Sequence, residues 1–353
     1  MVESAAMPAG TVRFPPAFIS DFVAAAFVAS GLLRDHAVIY ADVLVTADLL
    51  GIRSHGIARL PKLLGLLEDG AINSNPKMTF KAVSDTTGVY DADNGPGPAA
   101  SSCAMDEALA MAERHGTGFV AVKNSNHFGF PGYYARKAMA KGYIGICMSN
   151  GGEITTPTFA LEGFMGTNPM SVAIPAGPGR AGFYLDMATA SVARGKIETT
   201  LREGRPIPKG WVPESFGPLR LDERGVLTFD VPLLPLGGEG TEGGGHKGYA
   251  LSMVVELLSS ILTGQAKPLP GHFMGAIKIS CFRDPSLVYE QMGKIYDRIH
   301  NLKKAPGHDR IYVPGEIEAE LEAENRRLGV PASPAVQAQM KRLNTKLQLG
   351  FSL

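Results

Sequence analysis

"GVYDADNGPGPAA" spans residues 88–100. It offers G-x-G-x-x-A from Gly95 to Ala100, after a strand-like run and before a helix-like one, which is the outline of a dinucleotide fingerprint. Read that way, the chain would be a doubly wound parallel sheet. Two features oppose this. Pro96 and Pro98 stiffen a loop that would have to curl around a pyrophosphate. The next strand, "GFVAV" (118–122), runs into Lys123–Asn124, where a ribose-binding Asp or Glu should stand. A cofactor bearing an extra phosphate would excuse the Lys. The plainer reading, a turn before a helix, is the better one.

The pattern around this stretch is mixed. Upstream, helices are expected over 16–30, where Phe18, Phe22, Ala25 and Ala29 recur at helical spacing, over 35–50 and over 61–69. Residues 80–93 look like a hairpin. Downstream, helices over 98–116 and 134–142 alternate with strands over 118–124, 143–150, 170–176 and 182–189. Residues 204–245 are rich in Gly and Pro and hold one short strand at most. "GYALSMVVELLSSILTG" (248–264) is apolar on all faces and reads as a buried helix. The tail from 286 is helical, with a loop at 305–316.

Composition narrows the class. The 353 residues are 45% hydrophobic and 19% charged, enough for one large domain or two modest ones. Lys plus Arg and Asp plus Glu number 34 each, so the basic excess of a nucleic-acid binder is lacking. Cys103, Cys147 and Cys281 lie far apart, are odd in number and form no CxxC pair. A disulfide scaffold is therefore not expected, and a reducing, cytoplasmic setting fits. No run of 18 apolar residues exists, so no membrane span is expected. "FISDFVAAAFVASGLL" is broken by Asp21 and lacks a basic start, so it reads as a helix rather than a signal segment.

The polar clusters suggest chemistry. "GIRSHGIARL" (51–60) sets Ser54, His55 and Arg59 between two apolar runs. In a regular helix His55 and Arg59 would share a face, although Pro61 opposes such a helix. "KNSNHFGFPGYYARKA" (123–138) follows a strand and carries Ser125, Asn126 and His127, then a Gly- and Pro-rich loop that a ligand could approach closely. Thr167 and Asn168 precede Pro169 at a strand start. Asp186 closes a strand, as a helix cap or as an acceptor for ribose hydroxyls, and Thr189 and Ser191 could cap the next helix. His246 and Lys247 open the helix at 248, a fair anion site. No metal-ligand spacing and no G-x-S-x-G elbow occur. What remains is an imidazole acid/base, a guanidinium carboxylate clamp and several phosphate or ribose contacts. That set suits carbonyl/alcohol redox chemistry. His55 is favoured over His127 as the proton carrier, with the choice left open.

"RSHGIARLPKLL", "NSNHFG", "GTNP", "DMATASVARGKI", "GHKGYALSMVVELL" and "PGHDRIYVPGE" occur in an order that resembles the type-2 malate/L-lactate dehydrogenase family, from about residue 15 to 335. The resemblance implies an α/β fold that is not Rossmann. The NAD(P)-binding domain (79–285) would have a largely antiparallel sheet, and a helical substrate and dimerisation domain would be built from both termini (1–78 plus 286–353). It implies NAD or NADP as cofactor, a small carboxylate substrate such as malate or lactate, and a homodimer with sites near the subunit interface. Ureidoglycolate, diketo sugar acids and cyclic imino acids are the alternative substrates, and Lys196 argues against the imine. By the same resemblance His55 and His127 are catalytic, with Ser54 orienting His55. Arg59, Asn126 and Thr167 would bind substrate. His127, Phe128, Gly129, Phe130, Pro131, Asp186, Met187, Ala188, Lys247, Pro314, Gly315 and Glu316 would meet the cofactor. Residues 204–245, with "GGEGTEGGG" before His246, are longer and richer in Gly than the family leads one to expect.

Overall fold

The computed structural model describes residues 8–353 except 203, 218, 222–226, 228–230 and 266–268, and the side chains of 195, 198, 199 and 202. Part of the Gly- and Pro-rich stretch thus lies outside the described residues.

The chain opens with a short strand, β1 (Val12–Phe14). Next come α1 (Pro16–Ala29), α2 (Arg34–Leu49) and α3 (Leu60–Glu68). Proline starts α1 and sits in the first turn of α3, where no backbone donor is lost. The buried stripe of α1 is Ile19, Phe22, Val23, Ala26 and Phe27. Ala29 ends exposed, one step off the stripe read from spacing. At the far terminus β9 (Val330–Ala332) pairs antiparallel with β1, and α10 (Pro334–Lys346) follows. Val330, Met340 and Leu343 join one apolar core with residues of α1, α2 and α3, so both ends of the chain close the same layer.

The middle of the chain forms a seven-stranded sheet. Its strands are β2 (Thr79–Ala82), β3 (Thr87–Asp91), β4 (Thr117–Lys123), β5 (Tyr143–Ser149), β6 (Met170–Ile174), β7 (Phe183–Met187) and β8 (His272–Lys278). Their order is β2-β3-β4-β8-β5-β6-β7. Only β3 and β4 run parallel; the other neighbours are antiparallel. This is a mixed α/β sheet and not a doubly wound one. α4 (Gly97–His115) and α5 (Pro131–Ala140) cover a face built from Val120, Val122, Met274, Ala276 and Cys147. The fold-deciding glycines serve packing. α4 starts at Gly97, where a Cβ would lie 2.1 Å from the Asn126 carbonyl oxygen. A close approach between helix and loop, rather than a phosphate, accounts for that glycine.

β8 fills the centre of the sheet, and sequence reading did not find it. α6 (Arg194–Arg202) and α7 (Gly245–Glu256) lie between β7 and β8. α7 continues as one π turn over Leu257–Ile261. The expectation of burial on all faces fails here: Val255 is buried, but one apolar face is left outside while polar side chains go in. Ser252, Glu256, Ser259 and Ser260 are buried, whereas Val254, Leu257 and Ile261 are 46%, 47% and 68% exposed. α8 (Pro285–His300) and α9 (Glu316–Leu328) complete the chain before β9. Among the described residues no helix is long and apolar enough to cross a membrane.

Candidate active site

Sheet register gathers one set of loops. Val122 of β4 pairs with His272 of β8, which pairs with Ser149 of β5. Met148 pairs with Met170 of β6, and Met170 with Met187 of β7. The loop after β4, the ends of β5 and β7 and the start of β6 therefore share one end of the sheet. That end holds Asn126, His127, Thr167, Asp186, Met187 and Ala188.

The other half comes from the segment after α2. Gly51 turns the chain with φ of +79°, and two 3₁₀ turns follow, Arg53–His55 and Ile57–Arg59. They meet at Gly56, whose backbone is extended, so no regular helix carries the pair. Ser54 Oγ lies 2.9 Å from His55 Nδ1, and Arg59 Nε donates to the Ser54 carbonyl at 2.7 Å.

The two halves meet. The rings of His55 and His127 stack with centroids 5.8 Å apart, and Arg59 Nη1 stands 3.4 Å from His127 Nε2. His127 Nδ1 accepts from the Gly129 amide at 3.2 Å, so the proton of the neutral ring belongs on Nε2. Nε2–H and Nη1–H are then both donors, set side by side where one acceptor group could take both. In this single chain His127 is exposed and His55 partly so, yet protein surrounds both rings closely. Burial, then the Arg59 charge, pushes His55 down to about 4. Burial, then Arg59 and the neighbouring histidines, holds His127 well below the usual imidazole range. The free cleft thus holds two neutral rings beside one cation. Burial lowers Arg59 too, and among the described residues no carboxylate pairs with it.

The remaining candidates divide. Asn126 Nδ2 is taken up by Asn94 and Gly95 carbonyl oxygens at 2.9 and 3.0 Å, so this side of its amide fixes the loop and only Oδ1 is left for a ligand. Thr167 offers its carbonyl to the Thr189 amide. Asn168, with φ of +39°, donates to Glu256 at 3.0 Å. Asp186 accepts from Tyr184 Oη at 2.9 Å and from the Gly132 amide, so it caps α5 rather than the next helix; burial raises it to about 7. Thr189 and Ser191 lie upstream of the cap position of α6, which opens at Arg194, and their hydroxyls donate to the Asn168 and Trp211 carbonyls. Lys196 lies over the Trp211 ring. Phe128, Gly129, Phe130 and Pro131 form the turn into α5, and the Gly129 Cα lies so close to Val43 of α2 that a Cβ would strike it at 2.4 Å. The Pro314 carbonyl bonds the Tyr184 amide, which lays Pro314–Glu316 along β7. Gly315, φ +105°, leaves no room for a side chain there, and Glu316 accepts from the Val313 amide and faces His300. Lys247 is exposed at the start of α7.

Sequence reading missed His272 and Asp48. His272 is fully buried, bonded to Ser149 Oγ (2.8 Å) and Ser125 Oγ (2.9 Å), and stacked at 4.3 Å on Phe128. Burial pushes it down to about 3, so it is a neutral strut behind the His127 loop. Neither residue stands in a polar cluster that would draw attention.

A cation with no carboxylate partner among the described residues, beside neutral imidazoles, suits a small anion that gains or loses a proton, as a dehydrogenase of hydroxy acids requires. Comparison with known proteins agrees. The profile of the malate/L-lactate dehydrogenase family matches residues 14–341. The chain is 36% identical to malate dehydrogenase of Pyrococcus abyssi, over 97% of each chain. It is 36% identical to L-sulfolactate dehydrogenase of Methanocaldococcus jannaschii, over 91% of this chain and 93% of that one. The solved structure of malate dehydrogenase from Entamoeba histolytica superposes with a TM-score of 0.88 at 31% identity, covering 97% of this chain and all of that one. The chain belongs to the malate/L-lactate dehydrogenase family. It is an oxidoreductase acting on CH–OH donors.

Proposed function

We propose that this enzyme moves a hydride between NAD or NADP and C2 of a small 2-hydroxy or 2-oxo acid of the malate or lactate type. Arg59, with no carboxylate partner among the described residues and standing beside His127, carries this reading. A 2-oxo acid presents a carboxylate oxygen and a carbonyl oxygen side by side. Arg59 Nη1 and His127 Nε2–H, 3.4 Å apart, present two donors side by side. Arg59 would hold the carboxylate and so fix the reacting carbon. His127 Nε2–H would donate a hydrogen bond to the C2 oxygen, and the stacked His55 would be the acid/base: charged, it gives that oxygen a proton in reduction; neutral, with Ser54 Oγ accepting its Nδ1–H, it takes one at Nε2 in oxidation. Carboxylate binding cancels the Arg59 charge that helps depress both rings. Their pKa values then rise, and a proton is taken up with the substrate.

The dinucleotide, when bound, supplies the hydride acceptor or donor. Residues suited to hold it are the Phe128–Pro131 turn and Asp186, Met187 and Ala188 at this sheet end, Pro314–Glu316 farther back along β7 at Tyr184, and exposed Lys247 for phosphate. The donor set suits the group: a carboxyl at Asp186 for ribose hydroxyls, an exposed Lys247 for phosphate, and a turn at Gly129, φ +90°, for close backbone approach. The reading includes the division into a cofactor domain (79–285) and a helical domain from both termini. It also includes a homodimer: a helix that buries serines and exposes Val254, Leu257 and Ile261 suits a second copy better than water.

The test is a panel of 2-oxo acids with NADH and NADPH, followed by loss of reduced nicotinamide. Turnover of oxaloacetate or pyruvate is expected. Failure of every 2-oxo acid with protein that binds a dinucleotide would contradict the reading.

A further inference from the structure

The turn that carries His55 and Arg59 has little regular structure to hold it. It comprises two 3₁₀ turns of three residues each, joined at Gly56. Behind it stands a carboxylate that the chemistry above does not use. Asp48, in the last turn of α2, is 5% exposed. Its Oδ2 accepts from the Ile57 amide at 2.8 Å. A Cβ built on Gly56 would lie 1.9 Å from Oδ1 and 2.4 Å from Oδ2, so the turn lies directly against the carboxylate. Ile57 and Gly56 separate the two functional side chains. A shift at either would move both.

We propose that Asp48 is a positioning residue that sets the spacing of His55 and Arg59 by clamping the Gly56–Ile57 backbone. The proposal rests on the dehydrogenase reading. Burial raises the Asp48 carboxyl to about 7, against the opposing pull of the Ile57 amide and Arg53. A buried acid that resists charging is kept here for its acceptor geometry, which an amide can imitate.

The test uses full-length enzyme and two readouts. Asp48→Ala should lower kcat/KM for the accepted 2-oxo acid by about 10–100-fold, mostly through a raised KM, with dinucleotide affinity within about twofold. Asp48→Asn keeps an acceptor for the Ile57 amide and should recover most of the loss. Gly56→Ala pushes the turn off an intact Asp48 and should reproduce the KM defect, which serves if Asp48→Ala does not fold. Hydrogen exchange over residues 53–60 is independent of turnover: it should speed up in Asp48→Ala and return toward wild type in Asp48→Asn. Wild-type kinetics and exchange in folded Asp48→Ala would overturn the proposal, as would equal impairment of the Asn and Ala variants. If wild-type enzyme turns over no 2-oxo acid, the dehydrogenase reading fails, and the exchange data still decide whether Asp48 clamps the turn.

Discussion

The chemistry at the residue scale rests on charge. Arg59 and burial together keep His55 and His127 neutral in the free enzyme, so reduction must wait for a proton. A sign follows. The protonated acid is scarce above its depressed pKa, so kcat/KM for reduction should fall about tenfold per pH unit from well below 6.5 upward. In the complex the substrate carboxylate offsets Arg59, and the limb seen in kcat should lie at higher pH. Steady-state rates between pH 5 and 8 check this; a kcat/KM limb at or above the ordinary imidazole value would contradict it. His55, Arg59 and His127 are legible in the sequence because they sit in polar clusters flanked by turn residues. Asp48 is not, because it stands inside "VLVTADLL" and looks like one polar step on a buried helix.

Among elements, α9 links the halves of the cleft. Glu322 pairs with Arg136 of α5, which continues from the His127 loop, and with Arg326 one turn on. Asn325 donates to the Leu49 carbonyl at the end of α2, just before the His55 turn, and accepts from Arg13 of β1. Burial opposes ionisation of Glu322, yet Arg136 and Arg326 hold its pKa below the usual range. Glu322→Ala strands a half-buried guanidinium. It should cost about 1.5–3 kcal/mol, a loss of several degrees in Tm, and raise KM for substrate. A thermal melt beside wild type reads this directly; an unchanged Tm would remove α9 as the link. The β2–β3 hairpin and α1–α5 are readable from period and breakers. β8 is not: "HFMGAIK" has Gly275 at its centre, and it is buried between two strands, so it shows no polar alternation. β1 and β9 are three residues each, too short for any period to show.

At the scale of the molecule, one chain leaves an unfinished surface on α7 and its π turn. Val254, Leu257 and Ile261 follow one helical stripe. Light scattering should return twice the chain mass, and Ile261→Asp should halve it without loss of helix; a monomeric wild type would refute the dimer. The central claim remains Arg59 as the carboxylate anchor. Its most direct test is the ratio of kcat/KM for pyruvate to that for methyl pyruvate, measured in wild type and in Arg59→Gln. The ratio should be large in wild type and fall by about 100-fold or more in the variant, because the ester lacks the charge that Arg59 binds. An unchanged ratio would show that the carboxylate is held elsewhere.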